Sequence, residues 1–244
     1  MFTKWMAQMG IGSAKVDSKI DQWQFQPGET ITGDVCIRGG QSSQVVDDIV
    51  LELTTQYVKN GKKVEYVFKR FALSEKLLIE PQKDRKIPFE FKLPTDLPIS
   101  TGRFPIYLKT VLDVPFAVDP TDRDRLEIFP NPLIASILKQ IEDNGFLLYQ
   151  IENTFDPNAR LHPFVQAFIF RPTGSFHAYI DEFHVIFDYN DHSITIDMEM
   201  VRAGQGLASR FYWEHEDAVN TLMINDQKVE EDPMEKLREL LQRR

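Results

Sequence analysis

Histidines and carboxylates are the residues of this chain whose chemistry could hold a metal ion. All five histidines, His162, His177, His184, His192 and His215, lie in the second half, among acidic residues. His177 and His184 are seven apart, with Asp181 and Glu182 between them. Odd spacing on one strand puts two side chains on opposite faces, so a bulge at Asp181 would be needed to bring these two together. No H-x-H, H-x-x-x-H or C-x-x-C spacing occurs, and protein zinc sites are usually legible through such spacing. The sequence therefore predicts no metal site and no cofactor.

Paired carboxylates raise a second chemistry, glycoside hydrolysis. That reaction needs two carboxyl groups facing each other across a cleft, about 5–10 Å apart. The adjacent pairs Asp47-Asp48 and Glu230-Glu231 read as parts of loops or charged runs instead. There is no G-x-S-x-G elbow and no phosphate loop, so no catalytic residue is assigned and the chain is not expected to be an enzyme. A carbohydrate-binding or hydrolytic β-sandwich is the alternative, because exposed aromatic rings can stack on sugars. Trp23 and Trp213 are the candidates, with burial in a core the favoured reading for both.

The third feature is Asp119 to Leu126, DPTDRDRL. On a strand, Asp122 and Asp124 would share one face and Arg123 and Arg125 the other. Asp119, Asp122, Arg123, Asp124 and Arg125 are thus candidate junction residues. They make interdomain ion pairs on one reading and a solvated linker on the other, since exposed ion pairs are common and contribute little.

Positioning elements follow from period and punctuation. Ile87, Phe89, Phe91 and Leu93 alternate with Pro88, Glu90 and Lys92, and Phe104, Ile106, Leu108, Leu112 and Val114 share one parity. Strands with one wet and one dry face belong to antiparallel sheets. Further strands are expected at Ala14–Ile20, Gln22–Gln26, Ile31–Ile37, Ile49–Tyr57, Val64–Phe71 and Leu77–Ile79. Gly33 marks a bulge or a close approach. Pro27-Gly28 and Pro81-Gln82 are turn signals, and Asn60-Gly61 supplies the positive φ angles of a type I′ hairpin. Parallel βαβ units would need crossover helices for which there is no room.

The period then changes. Leu133, Ile134, Ile137, Leu138 and Ile141 form a helical stripe, with Asn131 as N-cap, Pro132 first in the helix and Gly145 as its stop. Strands resume at Phe146–Ile151, Phe164–Phe170, Ser175–Ile180, Phe183–Tyr189, Ser193–Val201 and Val219–Ile224. A last helix starts near Asp232-Pro233, with Met234, Leu237 and Leu241 on its apolar face. The sequence thus predicts an all-β protein of two antiparallel β-sandwiches with a few short helices: residues 1–129, and residues 130–244 ending in the C-terminal helix.

Composition bounds what such a protein does. Hydrophobic residues make up 42% and charged residues 27% of 244, as in ordinary globular chains. Cys36 is the single cysteine, so no internal disulfide can form and a cytoplasmic location is expected. No run approaches the roughly 20 apolar residues that span a bilayer, and the N-terminus does not read as a signal peptide. Phe2, Trp5, Met6 and Met9 recur at helical spacing. They read as a stripe docked on the first domain, with peripheral membrane contact the less favoured reading. Residues 1–130 carry 18 basic and 18 acidic side chains, whereas residues 131–244 carry 10 and 19. That acidic half argues against nucleic acid and anionic lipid as partners.

The corner from Phe89 to Pro115, with F-x-F-x-L-P, P-x-S, a glycine, I-Y-x-L-K and L-D-x-P, resembles the arrestin superfamily at the end of its first sandwich. A narrower resemblance rests on GIGSAKVD (Gly10–Asp17), PGETITGDVCIRGG (Pro27–Gly40), AVDPTDRDRLEIFPNP (Ala117–Pro132), PFVQAFIFRPTGSF (Pro163–Phe176) and DEFHVIF (Asp181–Phe187). In this order and spacing they are similar to the bacterial sporulation-control family of stage-zero M proteins, over about residues 10 to 204. The resemblance implies an arrestin-like pair of β-sandwiches and a non-enzymatic regulator or scaffold of a signalling or developmental pathway. It implies protein partners, leaves homo-oligomer formation open, and supplies no binding residues that carry over by position.

Overall fold

The structure is a computed structural model that describes residues 13–115, 118–178, 180–189, 193–202, 220–225, 228–229 and 235. Among these residues it is all-β apart from one α-helix, one 3-10 turn and a helical Glu235. The chain divides into two compact units, Met1–Gln56 with Val64–Phe129, and Tyr57–Lys63 with Pro130–Arg244.

In the first unit β1 (Lys15–Ile20), β3 (Thr30–Arg38) and β6 (Asp84–Lys92) form a three-stranded antiparallel sheet in the order β1-β3-β6. A second sheet has the order β4 (Gln44–Lys59), β7 (Ile106–Asp113), β8 (Thr121–Ile128), β2 (Gln24–Phe25), with β5 (Lys62–Ile79) on the other side of β4. The alternation found in the sequence does the expected work. Ile31, Val35 and Ile37 from β3 and Phe89 from β6 are buried with Ile49, Leu51 and Leu53 from β4, Leu108 and Leu112 from β7, and Leu126 and Ile128 from β8. Two sheets that each bury one face make a sandwich.

Turn chemistry sets the register. Asn60 and Gly61 both have positive φ, 51° and 72°, as the I′ hairpin between β4 and β5 requires. Gly28 (φ 85°) completes the turn closed by the bond from Glu29 N to Gln26 O, 3.1 Å. Gly33 is a close approach: a Cβ there would sit 2.7 Å from the Phe89 ring and closer still to the Lys19 carbonyl. Strand β1 pairs edge to edge with β3 through Ile20 and Gly33 because no side chain stands at that position.

Several elements differ from expectation. Strand β5 is one 18-residue strand where two short ones were expected, because its pairing with β4 outweighs the polar interruption between Leu73 and Leu77. The segment expected as Gln22–Gln26 is only a two-residue strand, paired in parallel with Glu127 and Ile128. Trp23 lies in the bend before it and is 50% exposed, which corrects the expectation of a core tryptophan. Phe25 takes the core position instead.

In the second unit Asn131 caps helix α1 (Pro132–Asp143) by accepting from Ile134 N at 2.9 Å, and Gly145 (φ 94°) ends it. Ile134, Ile137, Leu138 and Ile141 are its buried stripe, and the helix lies against β9. Strands β9 (Phe146–Phe155), β10 (Phe164–Pro172), β11 (Ile180–Tyr189), β12 (Ser193–Arg202), β13 (Asn220–Asn225) and β14 (Lys228–Val229) form an antiparallel meander in sequence order. The tip of β4 pairs with β9 at Val58 and Thr154. Phe168, Phe170, Phe183, Val185, Ile196 and Met198 fill the buried face. Gly174–Ala178 is a 3-10 turn rather than the expected strand: Gly174 has φ 70°, and Thr173 is tied by backbone and side chain to Gly145 O. The stripe Phe2, Trp5, Met6, Met9, the residues Trp213, His192 and His215, and the C-terminal helix apart from Glu235 lie outside the described residues.

Candidate functional site

The charged segment resolves into a turn and a strand. Asp119 Oδ1 accepts from Val114 N at 3.1 Å and Leu112 N donates to Pro120 O, which closes the β7–β8 connection. From Thr121 the chain alternates. Asp122 and Asp124 turn inward with the buried Leu126 and Ile128, while Arg123 and Arg125 are exposed on the other face.

The outward face is charge-paired. Arg123 meets Glu65 at 3.4 Å and lies 3.8 Å over the Tyr107 ring. On the neighbouring strands Glu52 receives Arg70 at 2.8 Å and Lys109 at 3.1 Å, with Glu52 and Lys109 directly opposite in the ladder. Burial alone would raise the Glu52 carboxyl, but the hydrogen bonds and charges of Arg70 and Lys109 outweigh it and hold the group below its usual range.

Among the described residues the inward face has no such cations. β1 is the outer strand of its sheet, so every second amide on it points away from β3. Ser18 N is one of these, and it donates to Asp122 Oδ2 at 2.7 Å. Ser18 Oγ and Thr110 Oγ1 share a hydrogen bond of 2.5 Å. Thr110 stands opposite Asp122 in the β7–β8 ladder. Asp124 is next on the same face, and its Oδ2 is buried without a hydrogen-bond partner. Burial pushes its carboxyl up to about 7, and the charge of Asp122, a hydrogen bond shared with it and the charge of Asp17 push in the same direction. The described partners of Asp122, Arg123 and Asp124 thus all belong to the first unit.

This seam was not found from the sequence, although a signal existed. Asp122 and Asp124 share parity with Leu126 and Ile128, which places them at the wet end of a core face. Ser18 and Thr110 carried no cue, because they are 104 and 92 residues from the atoms they meet in this seam.

The other sequence candidates are dispersed. A register shift does occur between Ile180 and Glu182. His177, however, is in the 3-10 turn and exposed, while His184 lies on β11, 3.1 Å from Glu182. Glu182 also meets Arg171 at 3.4 Å, and Arg171 stacks 3.4 Å over Tyr149. Among the described residues no group of three or more His, Cys, Asp or Glu is arranged to hold a metal ion. Asp47 and Asp48 fall within β4 rather than in a loop, and Asp47 is paired with Lys76 at 3.2 Å. Cys36 is a half-buried strand residue with a free thiol. No described helix is long and apolar enough to cross a membrane.

A two-unit, strand-built chain without a described helical crossover is a member of the all-β class. Within it, residues 2–204 match the family model of the SpoOM protein. The sporulation-control protein spo0M of Bacillus subtilis (strain 168) is 32% identical over 247 residues, covering 99% of this chain and 96% of that protein. The crystal structure of Spo0M from Bacillus subtilis superposes with a TM-score of 0.79 at 30% identity, over 95% of this chain and 97% of that one. The chain belongs to the Spo0M family.

Proposed function

We propose that this protein is a non-enzymatic cytoplasmic regulator, a scaffold or adaptor that works by binding other proteins. We infer further that the edge of β5 away from β4 is where an extended partner segment adds as a strand. Its relative of known role is a sporulation-control protein, which supports regulation as the broad task. The observation that carries the mechanism is the edge itself. Strand β5 runs for 18 residues and pairs with β4 alone among the described strands. A long strand edge is a template of N–H and C=O groups for another chain. Lys62, Lys63, Lys69, Arg70 and Lys76 outnumber Glu65 and Glu75 along it, so the fitting partner is an acidic extended segment.

Exposed Trp23 favours the second reading, sugar binding, since a half-exposed indole can stack on a pyranose ring. A photo-cross-linker placed at exposed Val64 or Leu78 discriminates the two. The proposal expects cross-links concentrated at these sites to an acidic, extended stretch of a protein partner. Cross-links spread evenly over the surface, or glycan-array binding abolished by Trp23→Ala with no product at β5, would contradict it.

A further inference from the structure

We propose that Asp122 and Asp124 form a proton-operated latch that holds the edge strand β1 onto β8. The latch has three parts. Asp122 Oδ2 accepts from Ser18 N, the outward amide of β1. Ser18 Oγ is tied to Thr110 on β7. Asp124 stands beside Asp122 with a buried oxygen that makes no hydrogen bond.

The charged groups around Asp124 are few. Asp122 stands beside it on its own strand, and the charge of Asp17, exposed on β1, reaches it. From β7 the ladder brings Leu108 and Thr110, which carry no charge. Arg123 and Arg125 point to the opposite side of β8, Lys109 is engaged by Glu52, and Lys15 and Lys19 are exposed on β1. No described cation therefore lies where it would neutralise a second carboxylate. Two neighbouring carboxyls in that situation share one proton.

While the proton is present, Asp124 donates to Asp122, and Asp122 remains oriented toward Ser18 N–H. When the pH rises past neutrality the proton leaves to solvent. Two like charges then stand side by side in a half-buried seam, and their separation draws Asp122 away from Ser18. The consequence is local, because β3 holds β1 on its other side through a full antiparallel ladder. The β1 edge loses its cover and becomes a strand edge open to pairing.

Hydrogen–deuterium exchange of the full chain at pH 6 and pH 8.5, with labelling times corrected for the intrinsic rate, reads this directly. The latch predicts that protection in residues 15–20 drops several-fold at the higher pH, while β3 and β6 keep theirs. Asp124→Asn, which keeps the shape without the second charge, should hold β1 equally protected at both values. Unchanged protection of wild-type β1 between the two values overturns the proposal, and so does the same loss in Asp124→Asn as in wild type. The wild-type arm stands alone if the variant does not fold.

Discussion

Glu52 and Asp124 are both partly buried carboxylates of one sheet, on the strands either side of β7, and they are displaced in opposite directions. Glu52 lies on the outer face, with Arg70 and Lys109 within hydrogen-bonding distance. Asp124 lies on the inner face, beside Asp122 and within reach of the charge of Asp17. Burial penalises both charges. The difference lies in whether a cation comes with the burial, and β8 shows how close the two outcomes are in sequence: Arg123 and Asp124 are neighbours, yet face opposite ways. The outer face gains a salt-screened network of modest strength, and the inner face a group that titrates near neutrality.

The sharpest way to break this contrast is to disturb β1 without touching charge. Gly33→Ala forces a methyl group between Lys19 and Phe89, and such overpacking costs about 3 kcal/mol at its upper range. Denaturant titration should show that loss. Asp124 in the variant should return toward its usual range while Glu52 stays depressed, because only the seam depends on β1.

The next effect is that of Asp124→Asn. In the unfolded chain an aspartate titrates near 3.8, and in the folded chain Asp124 titrates at about 7. The folded state therefore binds more protons between these values. Stability falls as pH rises through that window, then levels off above it. Asp124→Asn should accordingly stabilise the protein at pH 8 by about 1–2 kcal/mol after allowance for partial exposure. At pH 4 it should change little. Thermal melts across pH 4–8.5 check both arms.

Glu52→Gln carries the opposite sign. A depressed carboxyl stabilises the fold above its usual range and loses that contribution as pH falls through the lowered value. The variant should cost about 1 kcal/mol at pH 7, less in high salt, and nothing at low pH. The smallest effect belongs to Arg123→Ala. Its pair with Glu65 is exposed and 3.4 Å long, so with the Tyr107 stacking its loss should cost about 0.5 kcal/mol by urea titration.

What could be read from the sequence was what neighbouring residues decide together. Asn60-Gly61 specifies its turn because both φ angles are local, and Asn131-Pro132 and Gly145 bound their helix for the same reason. The apolar alternation in β3, β6 and β7 placed the core correctly. What could not be read depended on distant partners. The pairing with β4 that makes β5 continuous is a tertiary effect. The 3-10 turn at Gly174–Ala178 follows from Thr173 reaching Gly145. The seam joins residues from β1, β7 and β8, and the charge pattern of residues 119–125 showed only that acids and bases would part to different faces. It did not show that Asp122 would meet a strand edge and Arg123 a tyrosine and a glutamate.

The contrast is tested most directly by following both side-chain carboxyl carbons, Glu52 and Asp124, in one carbon-13 NMR pH titration of the wild-type protein. The account predicts a midpoint for Asp124 near 7, with the Ser18 amide resonance shifting over the same pH range, and a midpoint for Glu52 below the usual carboxylate range. Two carboxyls that both titrate in the ordinary range, with a Ser18 amide indifferent to pH, would contradict it.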